Sequence, residues 1–176
     1  MVRILANKEG KTLASANTKT NAMRILDGAG ISYRQHRYDP NDGLIDGVSV
    51  SKKIGQPVEK VYKTLVARAA SGEYLVFVIP VEQELDLKAA ARAFGEKSVE
   101  MIRVSDISKV TGYIRGGCSP VGMKKEYKTI LDASYEGLET IIVSAGKIGY
   151  QLELCPDDLI GFIGCGTAEV TARRPV

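Results

Sequence analysis

The segment Gly116-Gly117-Cys118-Ser119-Pro120-Val121-Gly122 places three glycines and a proline in seven residues. Arg115 precedes it, and Lys124, Lys125 and Lys128 follow. Such a run makes a poor helix and a poor central strand. It suits a tight, stiff loop whose backbone N–H groups come close to a ligand, with Gly116, Gly117 and Gly122 as positions for positive φ or close approach. The flanking cations select an anionic ligand. Two readings stand side by side: a backbone cradle for a phosphate or a developing oxyanion, or a loop that only turns the chain. The spacing fits neither GxxxxGK[ST] nor GxGxxG, so the segment is neither a P-loop nor a dinucleotide fingerprint.

Other reactive side chains are few. Lys63 stands at the mouth of the apolar run Lys63-Thr64-Leu65-Val66, where it could hold a phosphate or a carbonyl, or lie on the surface of an edge strand. Cys118 sits inside the glycine loop; amides and cations nearby could lower its pKa and make it a nucleophile. It could equally be a small, partly buried residue. His36, the one histidine, reads as a structural residue in a strand or as a general base. Cys155 and Cys165 read as core. Three cysteines without paired spacing, and no CxxC or HExxH, argue against a disulfide framework and leave a zinc site short of ligands. No metal and no cofactor are expected. The run Lys124-Lys125-Glu126-Tyr127-Lys128 is a solvated face or a phosphate-steering patch, to which Lys52, Lys53 and Lys60 could add.

The surrounding elements follow from periodicity and punctuation. Ala22, Ile25, Leu26 and Ala29 predict a helix over 21–29, capped by Thr20 or Asn21 and stopped by Gly30. Residues 31–38 alternate like a strand and run into the turn Asp39-Pro40-Asn41-Asp42-Gly43. A short helix over 48–54 ends at Gly55. Pro57 starts a helical turn, then strands over 62–69 and 74–80 flank the hairpin turn Ser71-Gly72. A helix over 85–94 carries the stripe Leu85, Leu87, Ala90, Ala91 and Phe94, with Gly95 at its end. A strand over 99–104 precedes a short helix over 105–110 with Ser105 as N-cap. Strands over 128–131, 140–144 and 150–154 follow, the last two joined by a second glycine turn, Ala145-Gly146-Lys147-Ile148-Gly149. Pro156 opens a last helix. Helices mixed irregularly with hairpin strands predict one α/β (α+β) domain with a mixed sheet.

The chain has 176 residues, 44% apolar and 26% charged, with a net charge of +3, which is the balance of one ordinary globular domain. The charge is too small to coat nucleic acid, so any polyanion contact is a local patch. No apolar run is long enough to span a membrane, and the first residues lack an apolar signal core, so a cytoplasmic protein is expected. Residues 1–18 are polar and aperiodic and read as a loose N-terminal extension.

Four motifs in order, Tyr62-Lys63-Thr64-Leu65-Val66, Leu85-Asp86-Leu87-Lys88, Thr111-Gly112-Tyr113 with Gly116 to Gly122, and Val143-Ser144-Ala145-Gly146-Lys147, resemble the YbaK/EbsC family of bacterial aminoacyl-tRNA deacylases, relatives of the editing domain of prolyl-tRNA synthetases. The resemblance covers residues 19–174. The KTL form, with GGxSPxG followed by paired lysines, is similar to the Cys-tRNA(Pro)/Cys-tRNA(Cys) deacylase branch.

The resemblance implies a single domain with a mixed, barrel-like sheet surrounded by helices. It also implies trans-editing: hydrolysis, or lyase-like cyclisation, of the ester of a mischarged tRNA, with Cys-tRNA(Pro) foremost. In that branch the substrate's own thiol attacks its carbonyl, so no side-chain nucleophile is needed. An oriented internal thiol has an effective molarity of roughly 10⁵ to 10⁸ M. The alternatives are a deacylase for another charged tRNA, such as Ala-tRNA(Pro), and a non-catalytic binder of tRNA ends or nucleotides. The implied partners are the aminoacyl-tRNA acceptor end and prolyl-tRNA synthetase.

By the same resemblance Lys63 is the anchoring lysine and Thr64 stands beside it in the pocket wall. Tyr38 and Ser144 are pocket residues. Gly116, Gly117 and Ser119 belong to the loop facing the ester, with Gly117 in a catalytic role. Gln151 binds substrate where relatives often carry an acid; it can hydrogen-bond an amino group but cannot pair its charge. The loop 41–47 aligns poorly with the family and yields no site residue.

Overall fold

The computed structural model describes residues 18–172. The expected extension over 1–18 lies outside the described residues except for residue 18, as do residues 173 and 174 at the expected domain end.

Helix α1 (Asn21–Gly28) starts where the Thr20 hydroxyl accepts the Met23 N–H at 3.2 Å, and it buries Ala22, Met23 and Leu26. Strand β1 (Arg34–Arg37) is shorter than the alternation over 31–38 suggested, because only these four residues pair with a neighbour. Ile31 and Tyr33 instead pack from the loop against the core. Helix α2 (Gly47–Lys53) is capped by Asp46. A 3₁₀ turn at Val58–Lys60 leads into β2 (Tyr62–Ala69), and β3 (Tyr74–Pro80) completes the hairpin.

Strand β3 is buried along nearly its whole length. Its alternation sends Leu75, Phe77 and Ile79 into one apolar cluster and Val76 and Val78 into others. Helix α3 (Leu87–Ala93) covers the first cluster with Ala90 and Ala91. It begins later than the stripe implied. Asp86 caps it, Leu85 bridges to Thr171 before the helix starts, and Leu87 is 42% exposed.

Strand β4 (Val99–Met101) pairs antiparallel with Ala67–Ala69 and leaves the ladder after Met101, although β2 itself continues back to Tyr62. Helix α4 (Val104–Thr111) therefore starts early. Arg103, not Ser105, holds the N-cap position, and no side chain caps it. Strands β5 (Lys128–Asp132), β6 (Ile141–Ser144) and β7 (Tyr150–Leu154) match their expected places. Helix α5 (Pro156–Ile163) ends at Gly164 in the left-handed region, and β8 (Gly166–Ala168), which the sequence reading missed, closes the order.

The strands form two sheets. One is antiparallel, in the order β1-β7-β6; the other is mixed, in the order β4-β2-β3-β5-β8, with β3, β5 and β8 parallel. A single α+β domain with a mixed sheet is thus present, but the sheets do not close into a barrel. They meet where Val61, just before β2, bridges to Ile142 on β6. This seam brings the start of β2 beside the β6–β7 hairpin, with α1 and α5 packed against the shared core.

Candidate active site

A cavity of about 820 Å³ opens at this seam. Its walls come from the start of α2, from β2, from α4 and the loop before it, from the glycine loop and from the β6–β7 hairpin. Of the residues singled out in the sequence, Lys63, Thr64, Gly116, Cys118, Ser144 and Gln151 line it. Tyr38, Gly117 and Ser119 do not. A smaller depression lined by Asp27, Tyr33 and Gln35 carries no cation and none of the expected residues.

Lys63 is not on the surface of an edge strand. It lies in β2 opposite Ile79, before the stretch that β4 covers. Its Nζ stands 3.8 Å from Glu84 Oε1, a loose and solvated pairing. Thr64 Oγ1 is buried beside it without a hydrogen-bond partner among the described residues. Buried hydroxyls are nearly always satisfied, so this one is poised for a ligand or water. Tyr38 OH is a second buried hydroxyl with no partner among the described residues, beneath the Lys53 ammonium that stands 5.6 Å from the ring centre.

The register of β6 with β7 sets Ser144 directly opposite Gln151. Ser144 Oγ accepts the Gly146 N–H at 3.2 Å, which leaves its own proton to donate. Gln151 is buried in the wall as a neutral group.

The glycines of the loop are used mainly for close approach. Gly116 has φ +85°, and a β-carbon there would fall 2.8 Å from Ile45 Cδ1. Of the two needs read from the sequence, Gly117 meets close approach and does not take a positive φ. Its N–H, expected to face substrate, donates to Ile114 O at 3.0 Å, and a β-carbon would stand 3.2 Å from Ile148 N. Ser119 is fully buried, its Oγ accepting the Val121 N–H at 3.2 Å. Tyr113 joins the two glycine turns. A β-carbon would fall 2.9 Å from its hydroxyl at Gly122 and 2.7 Å from its ring at Gly146. Among the described residues, the amides of Gly116 and Cys118 have no backbone acceptor.

Among the described residues Cys118 and His36 form no nucleophile–base couple. Burial pushes the Cys118 thiol up to about 11, against a smaller lowering by Thr111, so it stays protonated at neutral pH. His36 Nε2 lies 2.8 Å from Glu153 Oε1 and does not line the cavity. Burial raises the Glu153 pKa, but hydrogen bonds from Lys60, Thr140 and His36 outweigh it and hold the carboxyl at about 2. Lys60 is thus engaged with Glu153, and Lys53 with Asp42, Asp39 O and Leu44 O, rather than offered to a ligand. Sequence reasoning missed Asp46, Gly47, Ile102 and Ile107 in the wall; the aspartate three residues before Ser49, which caps α2, is the one signal that could have found the first of them. Among the described residues no cluster of three His, Cys, Asp or Glu side chains could hold a metal ion.

An ammonium, amide donors and a neutral polar wall can bind and polarise an ester but supply no attacking group. The aminoacyl-tRNA editing domain family matches residues 47–162. A protein of Enterococcus faecalis named "Putative Cys-tRNA(Pro)/Cys-tRNA(Cys) deacylase EbsC" is 41% identical over 89% of this chain and 95% of its own length. A proline–tRNA ligase of Fervidobacterium nodosum is 27% identical over 72% of this chain and 21% of the ligase. The crystal structure of "a putative trans-editing enzyme for prolyl tRNA synthetase" superposes with a TM-score of 0.74 over 89% of this chain and 100% of that one; at 19% identity it speaks for the fold alone.

Proposed function

The chain belongs to the aminoacyl-tRNA editing domain family, and we propose that it deacylates mischarged tRNA in trans, with Cys-tRNA(Pro) as its substrate. The observation that carries this reading is the cavity at the sheet seam. It gathers Lys63, Thr64, Ser144 and Gln151 against the glycine loop, and the one thiol among its described lining residues, Cys118, is protonated.

The chemistry then comes from the substrate. The cysteinyl thiol gives up its proton, and its sulfur attacks the ester carbonyl carbon of the same residue. The carbon–oxygen bond to the ribose breaks, and the ribose oxygen takes a proton. The products are a cyclic thiolactone and tRNA with a free hydroxyl; no water is consumed. The protein orients the acyl group and stabilises the charge that develops on the carbonyl oxygen. Lys63 holds the terminal phosphate or that oxygen, the Gly116 and Cys118 amides donate to it, and Thr64, Ser144 and Gln151 form the polar wall. Tyr38, Gly117 and Ser119 support the pocket from behind.

The reaction belongs in the cytoplasm. In the Fervidobacterium relative the matching segment is 21% of a proline–tRNA ligase, which supports a prolyl-tRNA synthetase as the partner that delivers the substrate. Among the described residues no helix is long and apolar enough to cross a membrane.

Deacylation over a panel of Cys-, Ala- and Ser-charged tRNA(Pro) tests the reading. Cys-tRNA(Pro) is expected to be cleaved and Ser-tRNA(Pro), whose hydroxyl is a far weaker nucleophile, to persist. Equal cleavage of both would show that water attacks. Cleavage of Ala-tRNA(Pro) alone would reassign the substrate, and binding without turnover would make the protein a carrier of tRNA ends.

A further inference from the structure

We infer that Asp46 receives the α-ammonium group of the aminoacyl ester and thereby fixes which way the substrate lies in the cavity. The inference rests on the deacylase reading above.

The cavity has an uneven charge balance. Among the described residues that line it, Lys63 and Arg115 are the cations and Asp46 is the one carboxylate. The acids nearby are turned elsewhere. Glu84 is 87% exposed and does not line the cavity, and Glu153 is engaged by Lys60, His36 and Thr140. Gln151 in the wall carries no charge. An ammonium placed by Gln151 and Lys63 would meet a like charge with no counter-charge, a costly arrangement away from bulk water. Placed toward α2 it meets Asp46.

Asp46 is equipped for this. Its Oδ2 accepts the Ser49 N–H at 3.0 Å, capping α2. Hydrogen bonds from the Ser49 side chain and backbone hold its pKa below the usual carboxylate value, so it is ionised at neutral pH. A carboxylate offers about four lone-pair sites, so capping leaves acceptor capacity. Both of its chain neighbours are pinned. Ile45 packs on Gly116, where no β-carbon fits, and a β-carbon on Gly47 would fall 2.1 Å from Val81 Cγ1. The chain on either side of Asp46 is therefore fixed against the glycine loop and the end of β3. With the ammonium toward α2 and the carbonyl oxygen toward Lys63 and the Gly116 amide, the side chain of the amino acid is left for the Thr64–Ser144–Gln151 wall.

The test compares Asp46→Asn with the parent on two esters of tRNA(Pro): cysteinyl and its desamino analogue, 3-mercaptopropionyl. Asparagine caps a helix about as well as aspartate, so the fold is kept. The kcat/KM of Asp46→Asn on Cys-tRNA(Pro) is expected to fall about two- to fivefold, the range of a solvated ion pair, with the loss in KM. On the desamino ester the two proteins are expected to be equal. Equal losses on both esters, or none on either, would overturn the role of Asp46 and leave the deacylase reading standing. A parent protein inert on both esters would overturn that reading itself.

Discussion

Lys63 Nζ stands 3.8 Å from Glu84 Oε1, yet the Glu84 side chain is 87% exposed while that of Lys63 is only 28% exposed. So wet a pair contributes no more than about 1 kcal/mol, and the ammonium remains available to an anion in the cavity. Lys63→Ala is expected to lower kcat/KM on Cys-tRNA(Pro) about a hundredfold, the size of losing one well-placed oxyanion donor. Glu84→Gln should change it less than about twofold. Single-turnover deacylation measures both, and parental activity in Lys63→Ala would remove Lys63 from the site.

Gly146 has φ +89°, and a β-carbon there would fall 2.7 Å from Tyr113 Cε1; Gly137 has φ +85° with nothing within 4 Å. Gly137→Ala therefore tests backbone strain alone and is expected to cost about 1 kcal/mol. Gly146→Ala adds the clash and is expected to cost about 2 kcal/mol or more, a fall in Tm of roughly 4–8 °C. Thermal denaturation of the two variants side by side separates the terms. Equal shifts would mean that Tyr113 yields without cost.

Cys118 is protonated at neutral pH because burial lifts its thiol to about 11. Cys118→Ala is expected to keep deacylase activity within about threefold, since no transition-state charge is stabilised by a neutral thiol. Alkylation by iodoacetamide should be slow at pH 7.5 and accelerate toward pH 11. A hundredfold loss of activity in the variant would restore the thiol as a nucleophile.

Glu153 has its carboxyl held at about 2, against an ordinary value of 4.5, by Lys60, Thr140 and His36 acting against burial. Because the folded pKa is depressed, this stabilisation is complete above about pH 4.5 and is lost as pH falls toward 2. Urea unfolding should show Glu153→Gln less stable than the parent by on the order of 2 kcal/mol at pH 7. The difference should vanish near pH 2. A difference independent of pH would mean that packing, not charge, is what the variant removes.

Much of the fold was legible because local signals and tertiary pairing agreed. The runs over 62–69 and 74–80 carry β-branched and aromatic residues between a proline turn and Ser71-Gly72, and both strands form with those bounds. Signals failed where pairing decided the boundary. Ser105 makes a good cap in principle, but the ladder of β4 with β2 ends at the Met101–Ala67 pair, short of the end of β2 at Tyr62, and α4 starts at Val104. The short β8 was invisible, since Gly166-Thr167-Ala168 has no strand pattern and exists by pairing with β5.

The site divided in the same way. Its residue types were fixed by the chain itself: a lysine at the head of an apolar strand, a glycine loop with flanking cations, a second glycine turn after Ser144. These follow from short-range chemistry, since backbone freedom, charge and hydroxyl donors belong to residues one at a time. Which of them share a cavity was decided only by the seam between the two sheets, where the Val61–Ile142 bridge joins distant parts of the chain and the Ser144–Gln151 register sets those two side by side. Burial then chose among equivalent chemistries. It kept the Cys118 thiol neutral, turned His36 to Glu153, used the Gly117 amide for Ile114, and left Asp46 as the lone acid among the described residues of the cavity. Desolvation and cross-strand register depend on what surrounds a residue in space, and no spacing along the chain records that.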